Sequence, residues 1–135
     1  RQAGLPPTRS RTMIKMTFCL RRQPHLTREQ FQDYWLNQHG PLVRSHAAAL
    51  NIRRYVQFHT ASHPINEAMQ KSRGASEAFD GIAELWFDSV ESMTAPGGTP
   101  AGKAASRALR EDEAKFIDHA RSPLWFGEEH AIVTA

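Results

Sequence analysis

His39 is the residue best placed to do chemistry. It closes the run Phe31-Gln32-Asp33-Tyr34-Trp35-Leu36-Asn37-Gln38-His39 and is followed by Gly40-Pro41. A free imidazole titrates near pH ~6.5, so it can take a proton from an activated carbon, or give one to a leaving hydroxyl, at neutral pH. A structural role competes: a ring at a helix end can simply bond a backbone carbonyl near Gly40. Phe31, Tyr34, Trp35 and Leu42 fall on the same helical face as His39. Tyr34 can bond a substrate carbonyl or phenol, while Phe31 and Trp35 offer apolar surface.

A second group lies late in the chain, at Asp112, Glu113, Asp118 and His119. His119 is the other acid–base candidate, and Asp118 beside it can orient an imidazole. Further on, Glu128 and His130 share one strand face and Glu129 takes the other. Seven histidines raise the question of a metal, but no HxH, HExxH or CxxC spacing occurs. His59 and His63 are four apart, yet a strand end and a loop do not stack them. No metal site is expected. Pro96-Gly97-Gly98 lacks the Lys-Ser/Thr of a phosphate loop.

These candidates need elements to hold them. Thr27 and Gln30 have capping-box spacing, and Leu26 and Phe31 the positions of a hydrophobic staple. A helix should therefore start at Arg28 and carry the aromatic face to His39, where Gly40-Pro41 breaks it. Residues 42–50 continue as a second helical piece that stops at Asn51. Ile14, Met16, Phe18 and Leu20 alternate with Lys15, Thr17 and Cys19, which marks a strand over 13–21. Gln23-Pro24-His25 is the turn into the helix. Residues 52–60 form a second strand with Arg53, Tyr55, Gln57 and His59 on one face, where a bulge or a two-sided environment is anticipated.

Residues 61–79 are polar. Pro64 opens a short helix to about Lys71, with Ile65 and Met69 one turn apart, before a loop at 72–76. A segment this long is a lid, a dimer arm or a flexible connection. Residues 80–88 form a third strand, apolar on both faces except at Glu84. Asp88 and Glu91 have capping-box spacing for a short helical turn, which 95–98 interrupts. Thr99-Pro100 restarts a helix with Ala101, Ala105, Leu109, Asp112 and Phe116 inward and Ser122-Pro123 at its end. Residues 124–134 make the last strand.

Composition sets the outer bounds. The 135 residues, 40% hydrophobic, make one domain with a real core. No apolar run approaches the roughly 20 residues that cross a bilayer, so no membrane partner is expected. A single cysteine excludes an internal disulfide and points to a reducing, cytoplasmic setting. The net charge of +3 comes from Arg1, Arg9 and Arg11 in a stretch without acids. Setting those three aside leaves 14 basic against 14 acidic residues, which argues against nucleic acid. Residues 1–12 read as a disordered leader or cloning remnant, and residues 13–135 as the folded domain.

Strand, helix, strand, strand, helix, strand is the split β-α-β-β-α-β order of the ferredoxin-like α+β sandwich. Helices on one face leave the other bare. Strands apolar on both sides would not tolerate that, so a homodimer packed sheet to sheet is expected.

The segments 14–22, 31–43, 80–87, 112–118 and 128–133 resemble the EthD domain family. The most specific features are Tyr34, Trp35, His39 and Pro41, together with Asp112, Glu113 and Phe116. The resemblance covers essentially residues 13–133. It implies a dimeric α+β barrel. It also implies a cofactor-independent lyase, a decarboxylase, dehydratase or cyclase acting on a small aromatic or polyketide-like carbonyl compound. Under that reading His39 and His119 are catalytic. Phe18, Phe31, Tyr34, Trp35, Tyr55, Trp86 and Phe126 line the substrate site, and no cofactor is needed. Some plant polyketide cyclases of this wider class use a histidine just before a proline after the third strand. The similar place here reads Gly98-Thr99-Pro100, which leaves His39 as the base. Two alternatives remain: a non-enzymatic accessory protein that holds a hydrophobic catabolite for an oxygenase, and a haem-binding barrel.

Overall fold

The computed structural model describes residues 13–135, and the expected leader at 1–12 lies outside them. The first strand, β1 (Ile14–Leu20), is followed by α1 (Arg28–Tyr34), a wide π-helical turn (Trp35–His39) and α2 (Gly40–His46). Next come β2 (Arg54–His59), α3 (Pro64–Arg73), β3 (Gly81–Phe87), α4 (Val90–Thr94), α5 (Pro100–Glu113) and β4 (Leu124–Glu128). The four strands make one antiparallel sheet in the order β2-β3-β1-β4, the ferredoxin-like arrangement. The ladder between β2 and β3 is regular from Arg54 to His59, without the anticipated bulge.

Strand register assigns the two faces. Met16, Phe18 and Leu20 stand across from Leu85, Ala83 and Gly81, and Tyr55 across from Leu85. This face meets the helices. Phe18, Leu20, Phe31, Trp35, Ala83, Phe116 and Ile117 form its core. The other face carries Lys15, Thr17, Cys19, Ile82, Glu84, Trp86, Val56, Phe58 and Trp125 by the same alternation. There Phe58 is 59% exposed and Trp125 54% exposed. Trp86 sits on this open face, with Lys15 and Arg54 over its ring and its Nε1–H donating to Glu129 at 2.6 Å.

The start of α1 follows the expected chemistry. The Thr27 hydroxyl accepts from Gln30 N at 3.1 Å, and the Gln30 side chain accepts from Thr27 N at 2.9 Å. The expected break at Gly40-Pro41 does not occur. The Gly40 N–H bonds Trp35 O, a five-residue step that opens a wide turn. Pro41 then sits in the first turn of α2, where its missing donor costs little. Phe31, Trp35, His39 and Val43 are all buried, at a period of four. In a pure α-helix such a row drifts by about 40° per step; the wide turn takes up that drift. Val43, not Leu42, is thereby the buried residue beyond His39.

Three other boundaries differ from expectation. The cap of α4 is Ser89, whose hydroxyl accepts from Ser92 N at 3.0 Å, in place of Asp88. In α5 the inward stripe begins at Gly102, with Ala101 exposed. A Cβ at Gly102 would lie 2.1 Å from Pro96 O, so only glycine lets the helix close on that turn. The helix also ends at Glu113 and not at Ser122. Beyond it Gln23 Nε2 donates to Ala114 O and Ile117 O, and the chain pairs with the residues after β1. Tertiary acceptors thus replace the helical ladder. β4 is shorter than expected because its pairing with β1 ends at Ile14↔Glu128. α3 forms as expected, capped by His63 and by Gly74 at φ +60°, but buries no residue.

Asp80, just before β3 and 2% exposed, ties the elements together. It accepts from Arg22 N at 2.8 Å and from the guanidiniums of Arg22 and Arg28. Burial alone would raise its pKa. The Arg22 N–H and the two guanidiniums overcome burial and hold the carboxyl below its usual range. Asp80→Asn is expected to cost about 2–3 kcal/mol in urea unfolding, because two half-exposed arginines lose their shared anion. The folded pKa is depressed, so this stabilisation is present above the unfolded value near ~3.9 and is lost as pH falls through the folded one. The variant should accordingly show a flatter acid limb of stability against pH.

Candidate active site

The wide turn between α1 and α2 aims His39 into the space between helices and sheet. The ring is 4% exposed and packs on Phe116, with centroids 5.0 Å apart. Its Nδ1 lies 2.8 Å from Asp112 Oδ2, contributed by α5. The other oxygen, Asp112 Oδ1, accepts from the Tyr34 hydroxyl at 2.6 Å. Burial would raise the Asp112 pKa, but hydrogen bonds from Tyr34 and His39, with the His39 charge and Lys115, hold it below the carboxylate range. Tyr34 responds in kind: chiefly its bond to Asp112 pushes its pKa up to about 12.

An ionised carboxylate only accepts. Nδ1 of His39 therefore carries the proton toward Asp112, and in the neutral ring Nε2 keeps a free lone pair. Nε2 has no partner among the described residues, yet no side-chain nitrogen or oxygen there is both enclosed and unpaired. Nε2 thus opens onto the neighbouring cavity. Such an arrangement can accept a proton at Nε2, with the ring oriented through Nδ1 by a buried anion.

That cavity is about 510 Å³ and mostly apolar. Phe18, Trp35, Tyr55 and Leu85 form its floor, and Ser106, Arg110, Glu113 and His119 stand among the polar groups lining it. Of the residues singled out in the sequence, the structure gathers His39, His119, Trp35, Phe18 and Tyr55 around it. Burial pushes the Tyr55 pKa up to about 12, so its phenol stays protonated. Phe31 is fully buried behind Trp35 and does not line the cavity. Tyr34 spends its hydroxyl on Asp112. Phe126 lies on the helix-covered face near Phe87 but off the lining. Trp86 leaves the set, because β3 is apolar on both faces and its register turns Trp86 away. His119 is held by Glu113 at 3.0 Å, while Asp118 pairs with Arg121. No residue of 61–79 lines the cavity.

Sequence reasoning missed Gln57. Its Nε2 donates to Trp35 O at 2.8 Å and to the Tyr55 hydroxyl at 2.9 Å, and its Oε1 accepts from His59 Nε2 at 2.7 Å. His59 stacks on Trp35 with centroids 4.5 Å apart, and burial lowers its pKa. The Trp35 carbonyl of the wide turn, which already accepts from Gly40 N–H, thus finds its second donor in β2. Among the described residues, no group of three or more His, Cys, Asp or Glu side chains is placed to hold a metal. No described helix is long and apolar enough to cross a membrane.

The family model for the EthD domain matches residues 23–120. The chain belongs to the EthD domain family. The matched span holds both halves of the His39–Asp112 pair. Among solved structures, an EthD family protein of Bacillus halodurans C-125 is similar, at 24% identity and TM-score 0.58, over 87% of this chain and 99% of that one. A dimeric ferredoxin-like protein of unknown function from Thermobifida fusca YX is 13% identical at TM-score 0.56, over 87% and 92%. HapK of Hahella chejuensis is 10% identical at TM-score 0.58, over 91% and 98%. At these identities the likeness to this EthD domain is one of fold. No curated protein matches the chain.

Proposed function

We propose that this EthD domain is a cofactor-independent lyase for a small aromatic or polyketide-like carbonyl compound. The observation that carries the reading is the 2.8 Å bond from His39 Nδ1 to Asp112, which leaves Nε2 facing an apolar cavity. The substrate's apolar body lies against Trp35, Phe18 and Leu85. Nε2 takes the proton from the carbon next to the carbonyl. The C–H pair becomes the new C=C bond, the C–O bond to the β-hydroxyl breaks, and the proton on Nε2 goes to that oxygen, so water leaves. In decarboxylation the same nitrogen, starting protonated, delivers its proton to the carbon from which carbon dioxide departs. Asp112 stabilises the imidazolium in both cases. The decisive experiment incubates the protein with β-hydroxy and β-keto aromatic acids and follows mass. Loss of water or carbon dioxide supports a lyase. Saturable binding with the ligand's mass unchanged replaces it with a carrier.

The same domain is proposed to work as a homodimer through the open face of its sheet. Phe58 and Trp125 are more than half exposed there, and the Thermobifida fusca relative in fold is dimeric. Sedimentation equilibrium at micromolar concentration should give twice the chain mass for wild type and the single-chain mass for Phe58→Asp. A wild-type monomer would rule the dimer out.

A further inference from the structure

A second, polar cavity of about 290 Å³ lies where β1 ends, and shares no lining residue with the His39 cavity. Arg21, Arg22, Arg28 and Arg121 all line it, with the acids Glu77 and Asp80 and with Ser62. Four guanidiniums face two carboxylates in the lining, and the Glu77 carboxylate pairs with none of the four. Asp80 is the carboxylate shared by Arg22 and Arg28, and Arg121 has a looser one, Asp118, at 3.7 Å. Arg21 has no carboxylate within reach among the described residues. Its guanidinium is instead held in place, stacked 4.0 Å over Phe79 and donating to Ala78 O at 2.7 Å and Glu77 O at 3.3 Å.

Several donors are also unspent. Arg28 uses only Nε, toward Asp80, which leaves both terminal nitrogens without an acceptor among the described residues. Arg22 uses Nε on Leu26 O and Nη1 on Asp80, which leaves Nη2. Arg121 makes no hydrogen bond there. Both oxygens of Asp80 are already committed, so it cannot absorb the excess. Four guanidiniums against two carboxylates leave a net positive hollow, and their planar forks match the oxygens of phosphate and carboxylate. We propose that this cavity binds a small oxyanion, a phosphate or carboxylate group carried on a compact molecule. The volume admits such a group with a few attached atoms. Ser62 and Ala78 flank α3 in sequence, so the bound anion would also fasten the two roots of that helix.

The test uses the whole chain. Calorimetric titration and thermal melting are run with inorganic phosphate and, separately, with citrate, each against sodium chloride at equal ionic strength. Saturable binding of phosphate alone assigns a phosphate-bearing ligand, of citrate alone a carboxylate, and of both the shared oxyanion chemistry. Arg121→Gln, whose side chain is largely exposed and only loosely paired with the partly buried Asp118 at 3.7 Å, should fold as wild type and weaken anion binding about tenfold. Arg28→Gln should weaken it at least as much, with circular dichroism reporting whether the Asp80 cluster survives. If neither anion gives a saturable effect beyond that of chloride, or if Arg121→Gln titrates like wild type, the cavity is only a structural ion-pair cluster.

Discussion

Replacing His39 with glutamine is expected to lower turnover by about 10²–10⁴-fold while leaving the fold in place. The glutamine amide can still donate to Asp112, so the buried carboxylate keeps a partner and the stability loss stays small. What disappears is the lone pair on Nε2. Asp112→Asn should approach the same kinetic loss by another route. An amide can offer N–H groups where the carboxylate only accepts, which releases the His39 proton from Nδ1 to Nε2 and blocks the base. Tyr34→Phe should cost much less turnover, because Asp112 keeps its bond to His39. The loss in both major variants should fall on kcat more than on KM, since the apolar walls are untouched. Turnover by His39→Gln equal to wild type would remove the imidazole from the chemistry and leave the cavity as a binding site.

The elements behind this geometry were legible to different degrees, for physical reasons. The start of α1 and the courses of β1 and β3 could be read because their signals are local: a capping box at Thr27 and Gln30, alternation through Ile14–Leu20, and an apolar run at Gly81–Phe87. The continuation of helix through Gly40-Pro41 could not, because a wide turn removes the penalty on which the breaker rule rests. A trace of it was nonetheless present, in large or imidazole side chains at 31, 35 and 39. The partner of His39 lies 73 residues away, beyond any spacing rule. Its signal was an acid on the apolar stripe of α5, since a carboxylate there must find donors. The face taken by Trp86 had one weak signal, Glu84 two residues earlier, because the strand is otherwise apolar on both sides.

The two faces of the sheet divide the work. On the helix-covered face the polar groups around the imidazole are tied: Asp112 to Tyr34 and His39, Gln57 to three partners, His119 to Glu113. Such satisfied contacts hold the cavity rigid enough for one imidazole nitrogen to keep its aim. On the open face, charge and exposed aromatic surface are mixed, with Trp86 between Lys15, Arg54 and Glu129. That mixture suits a surface that meets a partner and not a catalytic interior.

Gly81→Ala is expected to destabilise the protein by about 2–4 kcal/mol in urea unfolding, a large loss for one methyl group. A Cβ there would stand 2.4 Å from Trp35 Cζ3 and 2.8 Å from Phe58 O. The carbonyl belongs to the β2–β3 ladder and cannot move, so the indole must. Trp35 is 1% exposed, stacks on His59 and forms part of the cavity floor. Displacing it should therefore change tryptophan fluorescence and weaken binding of any apolar ligand in the His39 cavity. Trp35→Leu gives the discriminating comparison. By itself it should cost about 2–4 kcal/mol through the cavity it leaves. Combined with Gly81→Ala it should cost less than the two single losses added, by more than about 1 kcal/mol, because the smaller side chain vacates the space that the new methyl needs. A remainder from the Phe58 carbonyl should persist in the double variant. Strict additivity would mean that the carbonyl contact alone sets the requirement for glycine, and that the indole's position does not depend on it.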